Sequence, residues 1–473
     1  MLSRRGILKA GAVSAAGATI PDLVAERHAD AAVARPKPFS RPLYVPKTAV
    51  PVHRSKTTDF YEMTIREAAV QILPGRKTRV LGYDGMFPGP TVRARAGRRV
   101  VIRQWNRLRR DAVVHLHGGL VPPEHDGHPA DPIAPGRYRD YVYANRQPPA
   151  TLWYHDHSHH KEAELVYRGL AGFYLIDDRP ERCPNLPSGR YDIPLMLRDA
   201  RFDKHGQLVF GMDDDNGRNI LLVNGRPQPY FKVCRRKYRL RLLNGSNMRH
   251  LALRLGNGAE LAVIASDGGL LPEPLPATSV RLSPAERVDV VVDFARYREG
   301  SRVVLYNTAG SSDATRRVMC FHVGERVPDC GELPDELGDK FDLGDAEVVR
   351  DVNLSTDAKR GRFLIDGKTF DIDRIDMRIR CGQTELWRVH NRDRRPATLH
   401  NLHLHGTHFQ VVERNGRRVS GHETGRKDTV SVPIGGNVTI KVCYDRHLGR
   451  YLYHCHLLDH ASMGMMAQAE IIK

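Results

Sequence analysis

The sequence predicts an all-β chain of three consecutive Greek-key β-sandwich domains, and three observations carry that reading. Short runs of alternating apolar and polar residues, the pattern of half-buried strands, recur between Gly- and Pro-rich turns along most of the 473 residues. A weak internal repeat punctuates them: Asp84-Gly85, Asn224-Gly225 and Asp366-Gly367 are turn signals, each leading to an alternating run that ends in Asn106, Asn244 or Asn391. These asparagines fall 138 and 147 residues apart, the length of one β-domain.

Taken in order, residues 1–34 begin Ser3-Arg4-Arg5-Gly6-Ile7-Leu8-Lys9 before an Ala/Gly-rich stretch and resemble a twin-arginine export signal. That resemblance implies the twin-arginine export machinery as a partner, and a destination in the periplasm or cell envelope or outside the cell. Residues 35–54 read as a Pro-rich extended arm. The sandwiches are expected at 55–180, 181–330 and 331–473, with acidic Gly324 to Asp345 joining the second to the third. No other stretch approaches the ~20 apolar residues of a membrane span, so no stable membrane insertion is expected.

Lys+Arg 73 against Asp+Glu 55 gives a net charge of +18. Such a balance attracts acidic partners in general. Yet the basic runs Arg107–Arg110 and Arg235–Lys237 read as solvated faces, and no nucleic-acid motif accompanies them. Of the seven cysteines, six besides Cys455 permit disulfides in an oxidising compartment without specifying which.

The chemistry is concentrated near the C-terminus, in His454-Cys455-His456-Leu-Leu-Asp-His460-Ala-Ser-Met-Gly-Met465. Strand side chains alternate, so His454 and His456 share a face and Cys455 points away. One strand would touch two sites. A soft thiolate, imidazoles and a weak thioether make a blue-copper set around Cys455, an electron-transfer site. Five His-x-His spacings occur: His115/His117, His155/His157, His157/His159, His403/His405 and His454/His456. Two pairs in the first unit and two in the last place a second site at their interface, with the middle unit as spacer.

His115-Leu-His-Gly-Gly119, Trp153-Tyr-His-Asp-His157, His400-Asn-Leu-His-Leu-His405 and the His454-to-Met465 run resemble, in order, the multicopper oxidases with three cupredoxin domains. The laccase-like branch of spore-coat laccase, bilirubin oxidase and phenoxazinone synthase is the nearest in pattern. The resemblance implies four copper ions as cofactors. His400, Cys455, His460 and axial Met465 would hold a type 1 ion, and His115 with His403 a type 2 ion. His117, His155 and His456 would hold one type 3 ion, and His157, His405 and His454 the other. It further implies a small aromatic reductant, phenolic or aminophenolic, giving single electrons that Cys455 passes to His454 and His456, with dioxygen reduced to water.

Oxygen reduction needs protons as well as electrons. Asp126, eleven residues after His115, matches the family's acid near the type 2 copper. Ala461 departs from the pattern, because this branch often carries glutamate there. Asp459 and Asp156 are the carboxylates considered as substitutes. His159 and His160 read as neighbours of the cluster rather than members of it. Two alternatives accompany this reading: a Cu(I)/Fe(II) metallo-oxidase in copper tolerance, although the 11 methionines form no Met-rich block, and a non-enzymatic copper-binding or cell-envelope protein.

Overall fold

The computed structural model describes residues 36–177, 185–214, 216–394 and 399–473. The export signal read at 1–34 lies outside them, as does Cys183. Three successive segments each pack two sheets face to face. The first joins a five-stranded sheet built around Thr58–Val70 and Arg99–Asn106 to a four-stranded one ordered Val92–Arg95, Ala171–Asp177, Ala150–Asp156, Val114–His117. The second, from Asp192 to Arg326, and the third, from Val348 to Ile472, each combine seven and five strands. The arm crosses between units: Thr48 bridges to Thr91 of the first and Pro42 to Tyr230 of the second.

The repeat read in the sequence has a physical basis. Asp84, Asn224 and Asp366 take φ of 53°, 47° and 49°, and the glycines after them 70°, 73° and 76°. Both central positions are therefore left-handed, a geometry that Asn-Gly and Asp-Gly tolerate and β-branched residues do not. In each turn the first side chain accepts a strand N–H: Thr64, Met196 and Asn353 respectively. The runs that follow pair in parallel with an earlier strand of the same unit in all three cases: Thr58–Val70, Asp192–Ala200 and Val348–Asp357. Asn106, Asn244 and Asn391 end those runs buried, each accepting the N–H two residues on and donating to a backbone carbonyl of a neighbouring segment. Buried amides so paired are tolerated, whereas an apolar substitute would leave the carbonyls unmet.

Each sandwich has its own core: Ile65, Ile102, Leu116 and Leu152 in the first, Leu240, Leu253, Val290 and Phe321 in the second, Val389, Trp387, Ile440 and Tyr453 in the third. One feature departs from the alternating expectation. Ala150–Asp156 and His400–Leu404 are buried at every residue. One face of each lies on its own core and the other on a neighbouring sandwich, so there is no solvent side. Those covered faces carry the histidines.

Candidate metal centres

Two hairpin-like strand pairs, one from the first sandwich and one from the third, set the histidines. Val114–His117 runs antiparallel to Ala150–Asp156 with His115 opposite His155. His400–Leu404 runs antiparallel to Gly449–His454 with His403 opposite His454. His117, His157, His405 and His456 follow at strand ends. All eight are buried, and they converge across the interface.

Hydrogen bonds fix which ring nitrogen faces inward. His115 Nδ1 donates to the Asp126 carbonyl at 2.6 Å and His403 Nδ1 to the Asp428 carbonyl at 2.8 Å. His155 and His454 Nδ1 donate to the Asp156 and Cys455 carbonyls, at 3.0 and 3.1 Å. His405 Nδ1 reaches the Asp126 carboxylate at 2.7 Å. Burial holds His155 and His454 down at about 3, and His115, His117, His157, His403, His405 and His456 well below the ordinary histidine value. A neutral ring with Nδ1–H engaged presents a bare lone pair at Nε2.

Those lone pairs point at one another. Nε2 to Nε2 separations are 3.1 Å for His405–His454, 3.3 Å for His157–His454, 3.4 Å for His155–His456 and 3.5 Å for His403–His115. His117 is reversed: its Nε2 meets Asp428 at 3.1 Å, which turns Nδ1 toward His155 Nε2 at 3.4 Å. Facing acceptors without protons repel, and a cation between them removes the repulsion. The donor set therefore fits bound metal. Within it, His117, His155 and His456 form one group, His157, His405 and His454 a second, and His115 and His403 meet with His117 as a third.

A separate group lies on the other side of the same strand. Cys455 Sγ stands 3.7 Å from His400 Nδ1 and 3.9 Å from His460 Nδ1, and those two nitrogens are 3.2 Å apart. Met465 is fully buried beside them, its carbonyl accepting Cys455 N–H at 3.1 Å and its own N–H donating to the His460 carbonyl at 3.0 Å. His400 turns its other nitrogen, Nε2, to Asp393 at 2.9 Å. Phe363 stacks on His460 with ring centroids 3.8 Å apart. His460 Nε2 faces the solvent-facing carboxylate of Asp213 at 4.0 Å. Asn401 ties the two groups: its Oδ1 accepts His456 N–H at 2.6 Å and lies 3.6 Å from Cys455 Sγ.

All twelve residues expected to bind metal thus fall into two neighbouring groups. Asp126 lies at the histidine group, its Oδ1 3.6 Å from His115 Nδ1, and burial raises it well above the ordinary carboxylate range. Gly127 after it takes φ 83°, so the Asp-Gly turn and the acid coincide. His159 and His160 stack on each other at 3.9 Å outside the groups. Cys234, Cys320, Cys330, Cys381 and Cys443 are unpaired thiols, so no disulfide forms among the described residues.

Sequence reasoning missed the groups that lock the sandwiches around the centres. Arg287 of the middle unit and Asp428 of the third are both fully buried and joined by hydrogen bonds of 2.7 and 2.6 Å. Arg218 and Asp459 form a second fully buried pair at 2.7 Å, with Asn247 on the other carboxylate oxygen at 2.9 Å. Asp459 is therefore committed to anchoring the His460 loop on the middle unit. Glu162 was missed as well.

Three cupredoxin-like sandwiches with a Cys/His/Met group on one side of a strand and eight histidines at a domain interface on the other define a copper-dependent oxidase. The multicopper oxidase family models match residues 64–181, 191–315 and 345–472, and the chain belongs to that family. It is 32% identical to a laccase of Bacillus subtilis (strain 168), covering 92% of this chain and 98% of that one. The crystal structure of a laccase from Pediococcus acidilactici Pa5930 superposes with a TM-score of 0.86 at 34% identity, covering 93% of this chain and 95% of that one. A multicopper oxidase from Campylobacter jejuni, described as a metallo-oxidase, gives 0.83 at 25% identity, covering 94% and 98%.

Proposed function

We propose that this multicopper oxidase is an exported, laccase-like enzyme. It takes single electrons from phenolic or aminophenolic reductants at the Cys455 group, and dioxygen is reduced to water at the histidine group. One observation carries the reading: Cys455 belongs to one donor group while its chain neighbours His454 and His456 belong to the other. By family resemblance His400, Cys455, His460 and Met465 would hold a type 1 ion, His115 and His403 a type 2 ion, and the two triads of histidines the type 3 pair, four ions in all. Bound copper supplies one-electron redox chemistry at the first group and oxygen reduction at the second.

The residues themselves do the rest. His460 is buried and turns Nε2 toward the exposed carboxylate of Asp213, the side from which a reductant would approach. From His460 an electron reaches Cys455, and the backbone carries it to His454 and His456 within one residue on either side. Separating the two groups lets one-electron oxidation of the reductant feed four-electron reduction of oxygen. Asp126 stands beside His115 and His405, and burial pushes its carboxyl well above the ordinary carboxylate range. Export by the twin-arginine route rests on the Arg4-Arg5 leader.

A second reading draws on Asp213 too, because a carboxylate beside His460 also attracts Cu(I) or Fe(II). Copper-loaded protein should consume oxygen with a dimethoxyphenol faster than with either metal ion; the reverse order would favour the metallo-oxidase, and no uptake with any reductant would sink both.

A further inference from the structure

The position after His460 is apolar here. Ala461 is fully buried against Phe370, Leu452 and Met466, and it offers no proton to the histidine group. Across from it runs the helix Glu162–Arg168, which packs on the helix Leu458–Ser462 that contains Ala461. The contact is specific: Ala163 N–H donates to Ser462 Oγ at 3.0 Å, Asn247 Nδ2 bridges the Ala163 carbonyl and Asp459, and His160 Nδ1 donates to the Ser462 carbonyl at 2.8 Å. The first residue of the helix is Glu162, 1% exposed.

A buried carboxyl normally finds an Arg, Lys or several N–H donors. Glu162 has no cationic partner: neither carboxyl oxygen makes a hydrogen bond of good geometry, and the donors beside them are the Ser462 hydroxyl and the backbone N–H groups of Glu162 itself and Lys161. Its backbone N–H closes on Ser158 O at 3.0 Å, so Glu162 sits one turn beyond His157. Ser158 in turn holds the carboxylate of Asp156 through its N–H at 2.8 Å and its hydroxyl at 3.1 Å. The outer side of Ser158 opens on a cavity of about 480 Å³ lined by Arg110, Asp111, Lys161 and His159. Solvent therefore reaches the turn at Ser158, and His157 of the histidine group is the residue directly before it.

We propose that Glu162 is the internal proton source for oxygen reduction, serving from the opposing helix the place that Ala461 leaves apolar. The inference rests on the reading of the protein as an oxygen-reducing enzyme. The overall balance is O₂ + 4 e⁻ + 4 H⁺ → 2 H₂O, with the electrons taken from four one-electron oxidations of the reductant. In each delivery the Glu162 O–H bond breaks, its proton goes to an oxygen atom under reduction, and the carboxylate regains a proton from solvent in the cavity beside Ser158 and Lys161. Burial, partly offset by neighbouring hydrogen bonds, pushes Glu162 up to about 8, so it carries a proton at neutral pH. The titratable groups around it are Asp156 from the strand Ala150–Asp156, Asp459 from the packed helix Leu458–Ser462 where Arg218 holds it, and His160 and Lys161 on its own turn.

Two measurements test this. In copper-free protein, infrared difference spectra across pH should show a carboxylic C=O band that titrates near 8, disappears in Glu162→Gln and shifts in Glu162→Asp. In copper-loaded protein, Glu162→Gln should bleach anaerobically at the wild-type rate on adding reductant, yet be reoxidised by oxygen about a hundredfold more slowly. The double variant Glu162→Gln/Ala461→Glu should regain much of the reoxidation rate. Unchanged reoxidation in Glu162→Gln, or a carboxylic band indifferent to both substitutions, overturns the role of Glu162 alone. Copper-loaded wild-type protein that consumed no oxygen with any reductant would overturn the functional reading with it.

Discussion

Arg287 closes on Asp428 with both guanidinium nitrogens, at 2.7 and 2.6 Å, and Asp428 then reaches His117 at 3.1 Å. One buried carboxylate thus joins all three sandwiches at the histidine group. Burial opposes its charge, but Arg287 overrides this and holds Asp428 well below the ordinary carboxylate range.

Arg287→Met would leave that carboxylate buried and unpaired, a loss on the order of 3–5 kcal/mol. Thermal unfolding at neutral pH should fall accordingly, and copper should be lost from the histidine group before the Cys455 group. Because the folded value of Asp428 is depressed, the stability it brings is present above the ordinary carboxylate range and lost as pH falls toward the depressed value. The gap between wild type and variant should narrow in strong acid. A melting temperature within a degree or so of wild type at neutral pH would remove Arg287 from this role.

Glu162 makes the opposite contribution. Its folded value, about 8, lies above the ordinary 4.5, so stability is full below 4.5 and is lost as pH rises toward 8. Glu162→Gln should therefore melt higher than wild type at pH 8 by an amount equivalent to a few kcal/mol, on the order of 1.4 kcal/mol per pH unit traversed. The two proteins should converge near pH 4. Equal melting curves at both pH values would show that the carboxyl is not held protonated by burial.

Asp126→Asn keeps the hydrogen-bonding shape beside His405 but removes the titrating acid. The blue colour and the rate of anaerobic bleaching should persist, while oxygen turnover drops about a hundredfold, the lower end of what acid–base groups contribute. Stopped-flow reduction followed by oxygen pulses separates the two halves; a slowed bleaching phase would place Asp126 at the wrong group.

What was legible in the sequence was what depends on local order. Strand alternation separates Cys455 from His454 and His456, and the three Asp/Asn-Gly turns with their terminal asparagines repeat because each performs the same local hydrogen bonding. Arg287–Asp428 and Arg218–Asp459 span 141 and 241 residues, and one arginine in a basic chain carries no local mark. Glu162 was hidden for a related reason. A glutamate before an amphipathic run reads as an ordinary helix start, and only the packing of that helix on Leu458–Ser462 buries its carboxyl. The full burial of Ala150–Asp156 and His400–Leu404 likewise comes from sandwich-on-sandwich contact, which alternation along a single strand does not encode.

The central claim is that one strand serves two copper groups, with Cys455 in one and its neighbours in the other. Copper content and visible absorbance of Cys455→Ser beside wild type test it most directly. Wild type should be blue, and the variant colourless with only the copper of the Cys455 group missing and the histidine-bound ions retained. A variant that stayed blue, or one that lost all copper together while remaining folded, would contradict the two-group account.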